Sequence, residues 1–228
     1  MIFKRNYTSE LIDDFSIRDE RIDLALQELK IINKFLGGNK TTKKGLKILL
    51  QDFPPKSFVK ILDAGSGTSD ILRANRNIKL NLIIYGIDLN IRTCKIAKLI
   101  ASDLNIVCGN ISSIPFKPSE FDVVHASLFL HHFNEKDIQY LLMQMLETVK
   151  YGIIINDLRR SVFAFLGIKL LTKIFSKSKM VKNDAPLSVK RGFIKRDLIN
   201  ILNGLNIKNY EIKKTWAFRW LVIIRKNN

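Results

Sequence analysis

The stretch ILDAGSGTSDIL, residues 61–72, decides how this chain is read. Apolar residues lead to Asp63, Gly65 and Gly67 stand one residue apart, and a helix-forming run follows. That is a strand, a turn bare of side chains and a helix start. A dinucleotide-binding turn carries a third glycine three residues after the second, where a pyrophosphate meets the helix N-terminus. That position here is Asp70. Its carboxylate repels a pyrophosphate and, together with Asp63, favours a cationic ligand.

Around this turn the rhythm is regular. Strand-like runs FVKILDA (58–64), NLIIYGID (81–88), NIVCG (105–109), FDVVHAS (121–127) and GIIIND (152–157) alternate with helical stretches. Alternation of this kind implies a parallel sheet covered by helices on both faces. IKNYEIKKTWAFRWLVIIRK (207–226) reads as two strands joined by a short connection, an antiparallel pair. The expected fold is α/β, a doubly wound, mostly parallel seven-stranded sheet with an antiparallel last strand. Before it, Leu11, Ile12, Phe15, Ile22, Leu26, Leu29, Ile32 and Leu36 recur at helical spacing. The spacing predicts helices over 9–36, stopped by Gly37-Gly38-Asn39, then a short helix over 41–51 ended by Pro54-Pro55. Residues 1–52 are thus expected to cap a main domain over 53–228, with a helical insertion at about 160–190, all in one structural unit.

Two further elements identify the ligand. Asp88 ends the second strand about 20 residues after the glycine turn, where an acid accepts hydrogen bonds from a ribose diol. Cys108-Gly109-Asn110-Ile111 follows the third strand, where an amide side chain reads an adenine edge. A ribose, an adenine and a positive charge together describe S-adenosylmethionine.

ILDAGSGTSD, YGIDLN, GNISSIPFKPSEFDVV and SLFLHHF resemble, in order and spacing, a class I S-adenosylmethionine-dependent methyltransferase over about 58–226. The resemblance implies a Rossmann-like methyltransferase fold. It implies that Asp63, Gly65 and Gly67 cradle the methionine portion, Asp88 holds the ribose, and Asn110 and Ile111 flank the adenine, with Ser66, Leu89 and Ser127 also among the cofactor-binding residues. Ser69 stands where such turns often carry glycine, and Asn110 where they often carry aspartate. SELIDD, INKFLGG, SLFLHHF, INDLRRS and DAPLSVKRGF are similar to bacterial small-molecule methyltransferases associated with type III polyketide synthases. That narrower resemblance implies a phenolic or quinol-type, lipophilic acceptor.

Little phenolate exists at neutral pH, because a phenol pKa is about 10 while a histidine near 6.5 can take its proton. His131 and His132 follow the fourth strand and Asp157 ends the fifth, on the sheet edge where ligands bind. One histidine, His132 slightly preferred, is expected to act as base with Asp157 as partner. His125, inside the fourth strand, reads as structural. Arg159, Arg160 and Arg191 are candidates for an acceptor oxygen or for solvated surface. SVFAFLGIKLLTKIFSKS (161–178) is too apolar for a simple surface helix and is expected to form a lid, with its lysines available to an anionic membrane surface.

Composition narrows the classes. The chain has 228 residues and a formal net charge of +17, with lysines spread along its length. That charge raises a nucleic-acid methyltransferase as the alternative, beside C-methylation of a quinone precursor. Ser127-Leu128-Phe129-Leu130 stands where base N-methylation uses an Asn/Asp-Pro-Pro-aromatic turn, and Cys108 is poorly sited as a nucleophile, so nucleic acid is not the expected partner. Cys94 and Cys108 read as buried free thiols, and no metal ligands are expected. Acidic residues near the N-terminus argue against a signal peptide, so a cytoplasmic protein is expected.

Overall fold

In the computed structural model, residues 4–14, 16–17, 19–113 and 116–226 are described; Phe15, assigned above to a helix, lies outside them. Strands β1 (Phe58–Ala64), β2 (Asn81–Asp88), β3 (Asn105–Cys108), β4 (Phe121–Ser127), β5 (Val149–Leu158), β6 (Tyr210–Thr215) and β7 (Arg219–Arg225) form one sheet in the order β3-β2-β1-β4-β5-β7-β6. The first five pair in parallel, β7 runs antiparallel to β5, and β6 antiparallel to β7. The strand order reverses between β1 and β4, which opens a crevice at their carboxyl ends. The central strands are apolar because both faces are covered.

One face packs Leu62, Val124, Ile153 and Val222 against α5 (Glu135–Thr148) and α8 (Lys195–Gly204). The other packs Val59, Ile61, Ile154 and Leu221 against α2 (Gly38–Leu49), α3 (Asp70–Arg73) and α4 (Ile91–Ile100). A third cluster joins Ile22 and Ala25 of α1 (Glu20–Phe35) to Ile168 of α6 (Val162–Phe175) and to Met180, Val181 and Val189 of α7 (Lys179–Arg191). The predicted 160–190 insertion is this α6–α7 pair.

The N-terminal region differs from its expectation in three ways. Among the described residues before α1, a 3-10 turn, Leu11–Asp13, stands where helix was expected. Its amides at Leu11 and Ile12 donate to the Asp184 carboxylate, so a side chain of α7 substitutes for helix hydrogen bonds. The Gly37-Gly38-Asn39 break is a two-residue turn, Leu36-Gly37: Gly37 is left-handed at φ +75° and α2 begins at Gly38. Last, α2 packs on β5 and β7 through Leu46 and belongs to the sheet's helical layer, leaving α1 and the 4–13 segment as the cap.

Candidate active site

The glycine turn is shaped by what lies over it. Gly65 has φ +62°, and a Cβ there would stand 2.0 Å from Phe129. Gly67, at φ +53°, would meet nothing within 4 Å, so its bare side faces open space. Ser69 is also left-handed, at φ +52°, which is the physical reason glycine suits that position. Leu128, Ala217 and Phe218 share this conformation. All four line the same cavity, where non-glycine strain marks a functional surface.

That cavity measures about 1030 Å³. Single-ligand pockets span about 300–1,000 Å³, so it has room for a cofactor and an acceptor together. Asp63, Gly65, Ser66, Gly67, Asp88, Leu89, Asn110, Ile111, Ser127, His131 and His132 all line it. The Asp88 carboxylate accepts from Gly67 N at 2.8 Å and Asn90 N at 2.9 Å, tying β2 to the glycine turn. Burial pushes the Asp88 pKa up, opposed by those two amides. Asn110 is exposed, and its Oδ1 accepts from Ser112 N.

Asp70 lines the cavity as well, and its carboxylate pairs with Lys30 at 3.0 Å and Arg73 at 3.6 Å, which offsets part of its charge. Asp63, also on the cavity wall, is held by His125 Nδ1 at 2.7 Å. His125 Nε2 meets Thr42 Oγ1 at 2.9 Å, Asn156 Nδ2 donates to Thr42 Oγ1, and Arg219 donates to Asn156 Oδ1. Arg219 also holds Leu36 O and Asn33 Oδ1 of the cap. Thr42, Asn156 and Arg219 had no sequence signal, because a relay across α2, β4, β5 and β7 has no spacing along the chain.

The two histidines separate. His131 is buried, and its Nδ1 lies 2.7 Å from Asp157 Oδ1. Asp157 itself sits behind it, outside the cavity wall. On the other side, Nε2 is 3.5 Å from Glu10 Oε1. Burial alone would lower the His131 pKa, but the charge and hydrogen bond of Asp157, then Glu10, raise it to about 9. Asp157 is held below the carboxylate range: burial opposes this, and the His131 charge prevails. An imidazolium at neutral pH donates; it does not accept a proton. His132 is partly open to the cavity and has Nδ1 2.8 Å from Asp13 Oδ1. Burial raises the Asp13 pKa, yet His132, then the Glu10 amide and Arg191, bring it down to about 2. Asp157 is therefore the partner of His131, while the partner of His132 is Asp13.

Glu10 and Asp13 come from SELIDD, whose helical reading concealed a strap over the cavity. Arg5 donates to Arg191 O and Phe133 O and anchors the strap's start. Arg191 is buried, donating to His131 O, His132 O, Thr8 O and Asp13, so its guanidinium is committed to structure. Arg160 likewise donates to Gly192 O and pairs with Asp197 at 3.1 Å. Arg159 also lines the cavity, its guanidinium 4.9 Å over the Phe218 ring. Glu10, His131 and His132 bring ligand atoms within 4.8 Å of one another. Arg191 Nε lies 3.8 Å from Glu10 Oε1, so a guanidinium and a histidine proton already balance this cluster's charge. Cys94 is buried as expected, whereas Cys108 is exposed because β3 is an edge strand.

Residues 61–152 match the family described as "Methyltransferase domain". The matched segment takes in most of β1, all of β4 and the crevice at their carboxyl ends. A demethylmenaquinone methyltransferase of Thermotoga maritima is 23% identical over 117 residues. That match takes in 50% of this chain and 49% of the relative, so it spans about half of either protein. The plantazolicin methyltransferase BpumL, solved with a triazolic desmethylPZN analog and SAH, superposes at a TM-score of 0.69 with 18% identity, covering 94% of this chain and 93% of that one. Human N-acetylserotonin methyltransferase, solved with SAM, gives 0.66 at 16% identity, covering 94% and 58%. The CurJ carbon methyltransferase gives 0.62 at 12%, covering 83% and 54%. At such identities the superpositions establish the methyltransferase fold.

The residues present fit S-adenosylmethionine, the cofactor expected from the sequence. Gly67 leaves open space beside the turn, Asp63 and Asp88 offer carboxylates, and the buried Ser127 Oγ on the cavity wall has no partner among the described residues. Asp63 with Gly65 and Gly67 would hold the methionine portion, Asp88 the ribose, and Asn110 and Ile111 the adenine.

Proposed function

We propose that this protein is an S-adenosylmethionine-dependent methyltransferase acting on a hydroxyl of a small, lipophilic aromatic or enolic acceptor, of phenolic polyketide or quinol type. One observation carries the reading. A histidine–carboxylate pair, His132–Asp13, lines the same cavity as the glycine turn and Asp88. Bound S-adenosylmethionine supplies a methyl group on a sulfonium. The cavity walls hold the acceptor against it, which accounts for much of such a rate. The Asp13 carboxylate, 2.8 Å from His132 Nδ1, stabilises positive charge on the ring, and Nε2 takes the acceptor proton as the oxygen–methyl bond forms and the sulfur–methyl bond breaks, leaving a neutral thioether. The His131–Asp157–Glu10 array keeps the strap, and so Asp13, over the site.

Apolar cavity residues Leu26, Leu29, Phe129, Phe163, Ile168 and Trp216 support a lipophilic acceptor. So does the name of the curated relative, a demethylmenaquinone methyltransferase. The test is methyl transfer from labelled S-adenosylmethionine to alkylresorcinols, pyrones and hydroquinones, with the product's methyl located by NMR. His132→Ala is expected to lower turnover about 10²–10⁴-fold near neutral pH while cofactor affinity by calorimetry is kept. Near-normal turnover in that variant would leave positioning as the whole mechanism, and a methyl found on carbon would defeat the hydroxyl assignment.

A further inference from the structure

Helix α6 turns one side inward and leaves the other bare. Ile168 and Thr172 are buried, and Phe165 and Leu171 pack into the cap core. Phe163, Leu166, Leu170 and Ile174 recur three or four residues apart and form a ridge on the other side. They are 77%, 55%, 60% and 61% exposed, and Phe175 at the helix end is 76% exposed. A contiguous apolar surface of this kind marks a binding face.

Three observations bear on what covers it. Residues 159–183 hold Arg159, Arg160, Lys169, Lys173, Lys177, Lys179 and Lys182 and no Asp or Glu. The five lysines are exposed, and at 100° per residue Lys169 and Lys173 flank the ridge along one edge. The same helix also lines the cavity, through Phe163, Ala164, Gly167, Ile168 and Leu171. Phe163 belongs to both surfaces, so the ridge meets the cavity at this residue. Finally, α6 has 14 residues and is about 21 Å long, and no helix among the described residues is long and apolar enough to cross a membrane. An apolar ridge edged by lysines on a helix of this length suits a position in the plane of a bilayer surface.

We infer that α6 docks on an anionic lipid surface, its ridge in the headgroup–acyl boundary and its lysines at the headgroups, so that a lipophilic acceptor enters the cavity from the bilayer. A second copy of this chain is the poorer occupant, since it would set one lysine-edged ridge, on a chain of formal charge +17, against another. The delivery step rests on the acceptor proposed above; the docking does not.

The experiment uses the full chain without cofactor or acceptor. It is sedimented with vesicles of mixed phosphatidylglycerol and phosphatidylcholine, or of phosphatidylcholine alone, at low and high salt. Binding is expected to the anionic vesicles, and to weaken with salt. The combined variant Leu166→Ser/Leu170→Ser/Ile174→Ser changes exposed residues that do not line the cavity. It should bind about tenfold or more weakly with its melting temperature unchanged. Lys169→Glu/Lys173→Glu should lose the preference for the anionic lipid. Wild-type protein that stays in the supernatant with phosphatidylglycerol vesicles would overturn the inference, as would a ridge variant that binds like wild type. A lipid-free dimer dissolved by the ridge variant would assign the face to a second copy instead. Because methyl transfer is not measured, neither result bears on the proposed chemistry.

Discussion

Asp157→Asn tests the buried array behind the site. Asp157 Oδ1 lies 2.7 Å from His131 Nδ1 and accepts from Leu158 N at 2.7 Å, while Oδ2 accepts from His131 N at 3.2 Å. An amide cannot reproduce this, because its NH₂ must face one of those donors. The variant also leaves a buried imidazolium without its main counter-charge, a loss of about 3–5 kcal/mol for a broken buried pair. The pH dependence isolates the cause. The folded pKa of His131, about 9, lies above its unfolded value. Its contribution is complete below about pH 6.5 and is lost as pH rises through about 9. The shift corresponds to about 3 kcal/mol. Urea unfolding of both proteins at about pH 6.5 and about pH 10 should show wild type losing roughly that amount and the variant much less, since without Asp157 little of that contribution is present at the lower pH. Equal slopes with pH in the two proteins, or a variant as stable as wild type at the lower pH, would refute the assignment.

Asp88→Ala should weaken S-adenosylmethionine binding by about 1.5–3 kcal/mol in calorimetry, as the ribose contacts are lost; it also frees Gly67 N, so amide exchange in the glycine turn should accelerate. Gly65→Ala should lower cofactor affinity about tenfold or more, because its Cβ would overlap Phe129 at a left-handed φ. Adding Phe129→Ala should restore part of that affinity if the ring is the obstacle.

The strand and helix order was legible in the sequence because it rests on local signals. The two glycines, Asp88 and the apolar runs of the central strands act within a few residues, and a parallel sheet follows from their alternation. The cavity-lining positions of His131 and His132 were legible for the same reason, since both stand just past a strand end. Which acid meets which histidine was not. Asp13 reaches His132 and Glu10 reaches His131 only because α7 draws the N-terminal segment across the sheet edge, through Asp184 and Arg191. That segment carries a helical apolar spacing, and the spacing is outweighed once side chains of another helix satisfy its amides. The exposure of the α6 ridge was decided in the same way. An apolar helix reads alike whether buried or bare, and here the neighbours α1 and α7 cover only one of its sides.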